Sequence, residues 1–222
     1  MKIRLRNILL KDFREEVLSK VISQQIEKNI NTKRKKVIKI IDYGSGYNPT
    51  LINKIITILS KKYVNTKFKA NCYDFYSNKQ IYLMNSNKNG IKFFHIKKLK
   101  NINTRFDFCL IVDVLHHIGV DESEKIYNTT MKLKKLSKFL IIKDHFQYGY
   151  FSNFILILMD FIGNYFDGVK IPSIYFSKES YDKFLKKLSV KEIRRINDKK
   201  YYKWYWFYLN SKKLQFISIL KT

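Results

Sequence analysis

The stretch VIKIIDYGSGYNP, residues 37–49, decides the fold of this chain. Its apolar run, Val37 to Ile41, predicts a buried strand. An acid, two glycines one residue apart and Asn48-Pro49 follow, and this last pair is typical of a helix start. A glycine turn between a strand and a helix N-terminus lets a ligand approach the backbone closely. Residue 49 is proline where an NAD-type G-x-G-x-x-G pattern needs its third glycine, and no Gly-Lys-Ser/Thr follows, so neither that pattern nor a P-loop is present.

Strand-like and helix-like segments alternate along the rest of the chain. Strands are predicted at 37–41, 67–73, 91–96, 106–112 and, briefly, 139–142, which indicates a parallel sheet with helices on both faces. Two further strands, 190–196 and 214–220, have no helix between them, so we expect an antiparallel edge. The expected fold class is α/β: a Rossmann-like, seven-stranded, mostly parallel sheet with an antiparallel C-terminal strand. Residues 1–222 are expected to form a single domain that begins with a helical segment at 1–30.

A second informative stretch is FDFCLIVDVLHHI, residues 106–118, which begins as a nearly continuous apolar strand. Between the two stretches, the strand at 67–73 ends at Asp74. Asp-x-Gly-x-Gly, from Asp42 to Gly46, resembles motif I of class I S-adenosylmethionine (SAM) methyltransferases. The 106–118 stretch resembles the F-D-x-(V/I)-x-x-x-x-V-L-H-H-(V/I) segment of small-molecule methyltransferases of the type 11/12 group. Two separated motifs in order, with an acid between them, are more specific than either alone.

The resemblance implies SAM as the cofactor, bound across the carboxyl ends of the strands. It implies that Asp74 holds the ribose hydroxyls and that the methionine part lies beside the end of the fourth strand. The cofactor residues that it predicts are Asp42, Gly44, Ser45, Gly46, Asp74, Asp113 and Val114. The family usually has an acid after strand three. This chain has His95 there, so the adenine edge is expected to meet backbone groups or His95.

Three residues near the predicted carboxyl edge are candidates for the chemistry: Asp144, His145 and His116. A carboxylate or an imidazole there could deprotonate an attacking hydroxyl or amine. The structural alternatives are a surface pair of Asp144 with Lys143, and a His116 that caps or packs the following helix.

The aromatic-rich segment 145–176, inserted after strand five, is predicted to form a lid that excludes water from the acceptor. Its candidate polar contacts are Tyr148, Asp160, Asn164 and Tyr175. The alternative is a packing helix with a loop, which is compatible with a lid.

The net charge of +26 suggests nucleic-acid binding. However, the lysines are spread along the chain, and the abundant Lys, Ile, Asn, Tyr and Phe share A/T-rich codons, which favours compositional drift. A diffuse positive surface would still attract anionic partners, lipid headgroups included.

Several features point to a cytoplasmic protein. No apolar stretch of about 18 or more uncharged residues is present, and the N-terminal apolar run is too short for a signal peptide. Cys72 and Cys109 lie in strand-like runs and are interpreted as small buried hydrophobes. No Cys/His set has metal spacing, so no metal is predicted.

The function predicted first is methyl transfer from SAM to an O- or N-nucleophile of a small-molecule or lipid-like acceptor. Peripheral contact with an anionic membrane is compatible with it, and no obligate protein partner is inferred. The alternative is an RNA-modifying methyltransferase or RNA-binding protein of the same fold, which would use the positive surface and the aromatic tail at 201–208. A SAM-binding fold without activity is the third possibility.

Overall fold

The computed structural model describes residues 11–30, 36–46, 49–85, 90–119, 123–164, 170–197, 199–201 and 213–222. The described strands are β1 (Val37–Tyr43), β2 (Lys67–Asp74), β3 (Ile91–His95), β4 (Phe106–Val112), β5 (Ser137–His145), β6 (Lys191–Ile196) and β7 (Gln215–Lys221). The described α-helices are α1 (Lys11–Asn29), α2 (Thr50–Lys62), α3 (Asn78–Asn85), α4 (Leu115–Ile118), α5 (Ser123–Leu136), α6 (Tyr150–Asn164) and α7 (Lys178–Leu188). A 3-10 helix spans Ile96–Asn101.

The strands form one seven-stranded sheet in the order β3-β2-β1-β4-β5-β7-β6. The first five strands are parallel to one another, and β7 runs antiparallel to both β5 and β6. The order reverses direction between β1 and β4, and ligands of open α/β sheets bind at such a point, outside the carboxyl ends of the strands. The predicted fold class is confirmed.

Helices cover both faces of the sheet. On one face, α1 and α2 bury a stripe of aliphatic residues that includes Leu18, Ile22, Ile52 and Ile55. On the other face, α5 and α7 bury apolar residues against the central strands. β4 is buried over almost its whole length because it lies at the centre of the sheet and is covered on both sides. These layers fix the carboxyl edge that carries the candidate site.

β5 is longer than predicted. The sequence suggested 139–142, whereas the strand runs from Ser137 to His145. The extension exists because β7 continues the hydrogen-bonded ladder, pairing Lys143 with Ile217 and Asp144 with Phe216. Charged residues can remain in a buried strand when oppositely charged groups pair with them. Asp144 and His145 are therefore held by a strand and not by a loop.

Two predicted features lie outside the described residues: Asn48 of the predicted helix start, and residues 202–208 of the aromatic tail. The helical start at 1–30 is described from Lys11 onward. The helix in the 145–176 segment spans Tyr150–Asn164. Among the described helices, none combines the length and the apolar character that crossing a bilayer requires.

Candidate functional site

The glycine turn follows β1 and is shaped by two positive φ angles, +74° at Gly44 and +67° at Gly46. The Gly44 amide donates to the Tyr73 carbonyl over 2.8 Å, which ties the turn to β2. A Cβ on Gly44 would collide with the Val114 side chain, whereas a Cβ on Gly46 would have no atom of the described residues within 4 Å, its chain neighbours aside. Gly44 thus allows Val114 to pack onto the turn, and the backbone at Gly46 borders open space that a ligand can fill.

Asp74, at the end of β2, fixes this turn. Its Oδ2 accepts from the Gly46 amide over 2.7 Å, and its Oδ1 accepts from the Phe75 amide over 2.7 Å. Each carboxylate oxygen keeps a further lone pair, so Asp74 can still accept from two hydroxyls of a ligand. The structure therefore places Asp74 beside the predicted turn, with acceptor capacity left for a ligand.

Tyr76 is a member of the site that the sequence did not reveal. Its ring is buried, its hydroxyl donates to the Gly46 carbonyl over 2.8 Å, and Ser45 Oγ lies 2.5 Å from the same hydroxyl. Burial raises the pKa of Tyr76, so it stays a neutral donor. A tyrosine two residues beyond a strand-end acid carries no recognisable signal, since only the fold brings it under the turn.

Asp42 is buried in β1, where desolvation and the charge of Asp74 raise its pKa to about 7. Two carboxylates that repel each other at the ends of adjacent strands create a local negative field. This field stands out in a chain with a net charge of +26. Such a field favours a cationic ligand, because a positive charge relieves the repulsion.

Asp113, directly after β4, has a positive φ of 53°, and its amide donates to the Lys143 carbonyl over 2.9 Å. Its carboxylate is paired with Arg14 of α1 and with Nζ of Lys143, 2.5 Å away. Lys143 is fully buried, which requires such a partner. Asp113 thus lies beside the turn with its charge matched by two cations, and Arg14 is a contact that the sequence gave no reason to expect.

The candidate catalytic residues meet at the carboxyl ends of β4 and β5. Nδ1 of His116 lies 2.5 Å from Oδ1 of Asp144, and both side chains are 1% exposed. A carboxylate only accepts, so Nδ1 of His116 carries a proton that it donates to Asp144. Asp144 also accepts from the amide of His145 over 2.8 Å. Burial alone would raise the pKa of Asp144, but the interactions with His116 and His145 prevail and lower it. Asp144 is therefore an ionised partner that fixes the tautomer of His116.

His145 has a different environment. Its Nε2 lies 3.4 Å from Nζ of Lys143, which can only donate, so Nε2 acts as an acceptor. Desolvation and the charge of Lys143 lower the pKa of His145 to about 3. An imidazole with so low a pKa holds a proton poorly, so His145 is a weak candidate base.

The 145–176 segment lies against these histidines. The Tyr175 ring centroid lies 5.1 Å from that of His116 and 5.9 Å from that of His145. Oδ2 of Asp160 lies 3.6 Å from Nε2 of His116 and 3.6 Å from Nδ1 of His117. Tyr148 lies farther out, 48% exposed, and the side chain of Asn164 is outside the described part of the structure. We call His116, His117 and His145 the histidine cluster. Of the four predicted lid contacts, Asp160 and Tyr175 lie next to this cluster.

Side chains of α6 hold the returning chain in place. The amide group of Asn153 accepts from the Tyr175 backbone over 3.0 Å and donates to the Ser173 carbonyl over 3.2 Å. The Tyr175 hydroxyl donates to the Leu156 carbonyl over 3.2 Å. These contacts fasten Tyr175 over His116, which explains why His116 is buried.

The cluster also contains potential metal ligands. The atoms of His116, His117 and Asp160 that could ligate a metal ion lie within 4.8 Å of one another. Nδ1 of His117 lies 3.1 Å from the Lys170 carbonyl, to which it donates. An ion bound by Nδ1 would have to displace that proton. These residues come from two elements separated in sequence, so a search for metal-ligand spacing could not find them.

Comparison with solved structures relates this architecture to known proteins. The chain is similar to the CMeT domain of the citrinin polyketide synthase, with a TM-score of 0.63 and 12% identity over 93% of this chain and 52% of that chain. It is similar to human N-acetylserotonin methyltransferase in complex with SAM, with a TM-score of 0.55 and 11% identity over 94% and 54% of the two chains. A structure described as a pericyclic reaction enzyme has a TM-score of 0.58 and 10% identity over 90% and 46%.

The chain spans about half the length of these solved structures. No protein-family profile and no curated protein sequence matches it. At 10–12% identity the similarity establishes the fold alone. The chain has the fold of class I methyltransferases, which also occurs in an enzyme described by different chemistry.

Proposed function

We propose that the chain is a SAM-dependent methyltransferase that acts on a hydroxyl group of a small-molecule or lipid-like acceptor. The observation that carries this proposal is the buried pair of His116 and Asp144, 2.5 Å apart, at the same sheet edge as the glycine turn. Methyl transfer to a hydroxyl needs a site that holds the cofactor and a base near it. We assign the first role to the glycine turn, which is called the cofactor turn below, and the second to this pair.

The turn fits SAM in three respects. The backbone at Gly46 is open to a ligand, the remaining lone pairs of Asp74 can accept from ribose hydroxyls, and Asp42 and Asp74 favour a net positive ligand. Val114, packed on Gly44, would form the wall of the site toward β4. SAM supplies, when bound, a methyl group made electrophilic by a sulfonium. The structure of human N-acetylserotonin methyltransferase with SAM, which has the same fold, supports this assignment.

His116 would act as the general base. Its Nε2 faces the side on which Tyr175 and Asp160 lie, and in the neutral ring, with the proton on Nδ1, this atom would take the proton of an acceptor hydroxyl. The proton passes from the acceptor oxygen to Nε2, and the imidazolium that results is stabilised by the ionised Asp144 at Nδ1. Tyr175 and α6 keep water from the cluster, which strengthens this interaction.

An acceptor screen tests the proposal. Radiolabelled SAM is incubated with phenols, prenylated phenols and primary amines, and the transferred label is counted after extraction. We expect label on a hydroxyl compound, lost in His116→Ala and kept in Asp107→Asn. Asp107 is a suitable control because it is also buried but lies at the amino end of β4, where its carboxylate accepts from the Lys39 amide, away from the cluster. Label only on amines, or equal rates in the two variants, would refute the role of His116.

The RNA alternative keeps one specific support, the net charge of +26. A nucleic-acid acceptor held by several lysines would lose about a thousandfold or more in affinity between 50 and 200 mM salt. An uncharged small molecule would respond little. Adding total RNA to the screen at two salt concentrations therefore separates the two functions. Binding of SAM without label on any acceptor would favour the third possibility, a SAM-binding protein without methyltransferase activity.

A further inference from the structure

The helix α6 has two unlike faces. Its inner face carries Leu156, which is buried against Tyr175, and Asp160, which lies beside His116. Its outer face exposes large apolar side chains, with Phe151 at 68% and Phe154 at 59%. We define the outer face of α6 by Phe151, Phe154, Leu158, Phe161 and Ile162, all of which are exposed.

The spacing of these residues places them on one side of the helix, since positions three, four and seven apart are neighbours on an α-helix. Asp160 is the one charged residue in the sequence of α6, and it points inward to the histidines. The outer face is therefore apolar without interruption, and a contiguous patch of this kind marks a contact site.

The charge of the chain selects the occupant. Lys and Arg outnumber Asp and Glu by 44 to 18, so a second copy of the chain would bring another +26 to the same contact. Like-charged copies repel each other, whereas an anionic surface is attracted. An exposed apolar helix face on a protein of high positive charge combines the two attractions, apolar insertion and electrostatics, that hold a helix at the interface of an anionic bilayer.

We propose that the outer face of α6 docks onto the surface of an anionic phospholipid bilayer. The 15 residues of α6 are about 22 Å long, too short for a span but sufficient to lie in the interface. The opposite side of the same helix contacts the histidine cluster, so docking would set that cluster directly behind the lipid surface. The docking itself needs no catalytic activity. Only its consequence, access of a lipid-like acceptor to His116, rests on the proposed function.

Co-sedimentation with vesicles tests the docking. Vesicles of phosphatidylcholine alone are compared with vesicles that also contain phosphatidylglycerol, at low and at physiological salt. We expect the protein to pellet with the anionic vesicles, and the double variant Phe151→Ser/Phe154→Ser to lose about a hundredfold or more in partitioning, because two phenyl groups no longer insert. The matched control is Val64→Ser/Tyr82→Ser, which removes two side chains of similar exposure near β2 and β3 and should bind like the wild type.

Three results would overturn the docking. The first is equal pelleting of the protein with both kinds of vesicle, and the second is unchanged pelleting of the Phe151→Ser/Phe154→Ser variant. The third is a wild-type dimer in sedimentation velocity that does not bind vesicles and that this variant abolishes, which would assign the face to a second copy. Calorimetry with S-adenosylhomocysteine (SAH) on each variant shows that the fold and the cofactor turn are intact. SAH binding without vesicle binding refutes only the docking, and vesicle binding without SAH binding refutes only the proposed function.

Discussion

Replacing Asp144 by Asn isolates the contribution of its charge to catalysis. Asn has nearly the same shape, and its oxygen can still accept from Nδ1 of His116, so the geometry is preserved. What disappears is the negative charge 2.5 Å from the ring that must become positive when it takes the proton. Because both side chains are 1% exposed, water cannot replace that charge.

The expected loss follows from this geometry. General-base catalysis contributes about 10²- to 10⁴-fold, and a charge-assisted hydrogen bond is roughly twice as strong as a neutral one. We therefore expect Asp144→Asn to lower kcat by about a hundredfold or more, which corresponds to roughly 2.7 kcal/mol of activation free energy. KM and SAH affinity should change little, because Asp144 holds His116 and does not contact the glycine turn.

The assay compares initial rates of label transfer from radiolabelled SAM to the acceptor found in the screen, with SAH calorimetry in parallel. Asp107→Asn is the matched control. Asp107 is equally a buried aspartate, but it lies at the amino end of β4, where it accepts from the Lys39 amide over 2.9 Å. If Asp144→Asn retains more than half of the wild-type kcat, or falls no further than Asp107→Asn, His116 does not act as a base supported by Asp144.

Three further predictions concern the cofactor turn and the cluster. Gly44→Val should abolish SAH binding in calorimetry while the protein remains folded by circular dichroism, because the new side chain collides with Val114 and the positive φ disfavours a β-branched residue; micromolar binding would contradict this. SAM affinity should rise roughly five- to tenfold from pH 6 to 7.5, because Asp42, with a pKa of about 7, is mostly protonated at the lower pH and mostly ionised at the higher. The affinity of Asp42→Asn should not depend on pH in that range, and a parallel slope would exclude Asp42. EDTA should leave the transfer rate unchanged, since His116 and His117 already have hydrogen-bond partners; loss of activity with recovery on adding Zn²⁺ would instead make the cluster a metal site.

The sequence predicted those parts of the fold that depend on local patterns. β1 and β4 are mostly apolar runs with an acid at or just after the carboxyl end, and this pattern gave their positions. The turn residues Gly44 and Gly46 were recognisable because their positive φ angles require glycine. Such features need no knowledge of what lies across the sheet.

The rest depends on contacts between distant residues. The end of β5 was misjudged because Lys143 looks incompatible with a buried strand until Asp113, thirty positions earlier, is seen to neutralise it. His116 and Asp144 were separate candidates in the sequence, and only the pairing of β4 with β5 shows that they are one unit. The 145–176 segment was expected to form a lid, but the helical repeat of α6 alone does not indicate which of its sides faces solvent, and Phe151 and Phe154 are exposed.

The most direct test of SAM binding is an isothermal titration of SAH into the wild-type protein and into Asp74→Ala. We expect one binding site per chain with a Kd well below ~1 mM in the wild type. Asp74→Ala should weaken it by about 1.5–3 kcal/mol, because the ribose hydroxyls lose a charged acceptor. Absence of binding heat at millimolar SAH, with the wild-type chain shown to be folded, would contradict the proposed methyltransferase function.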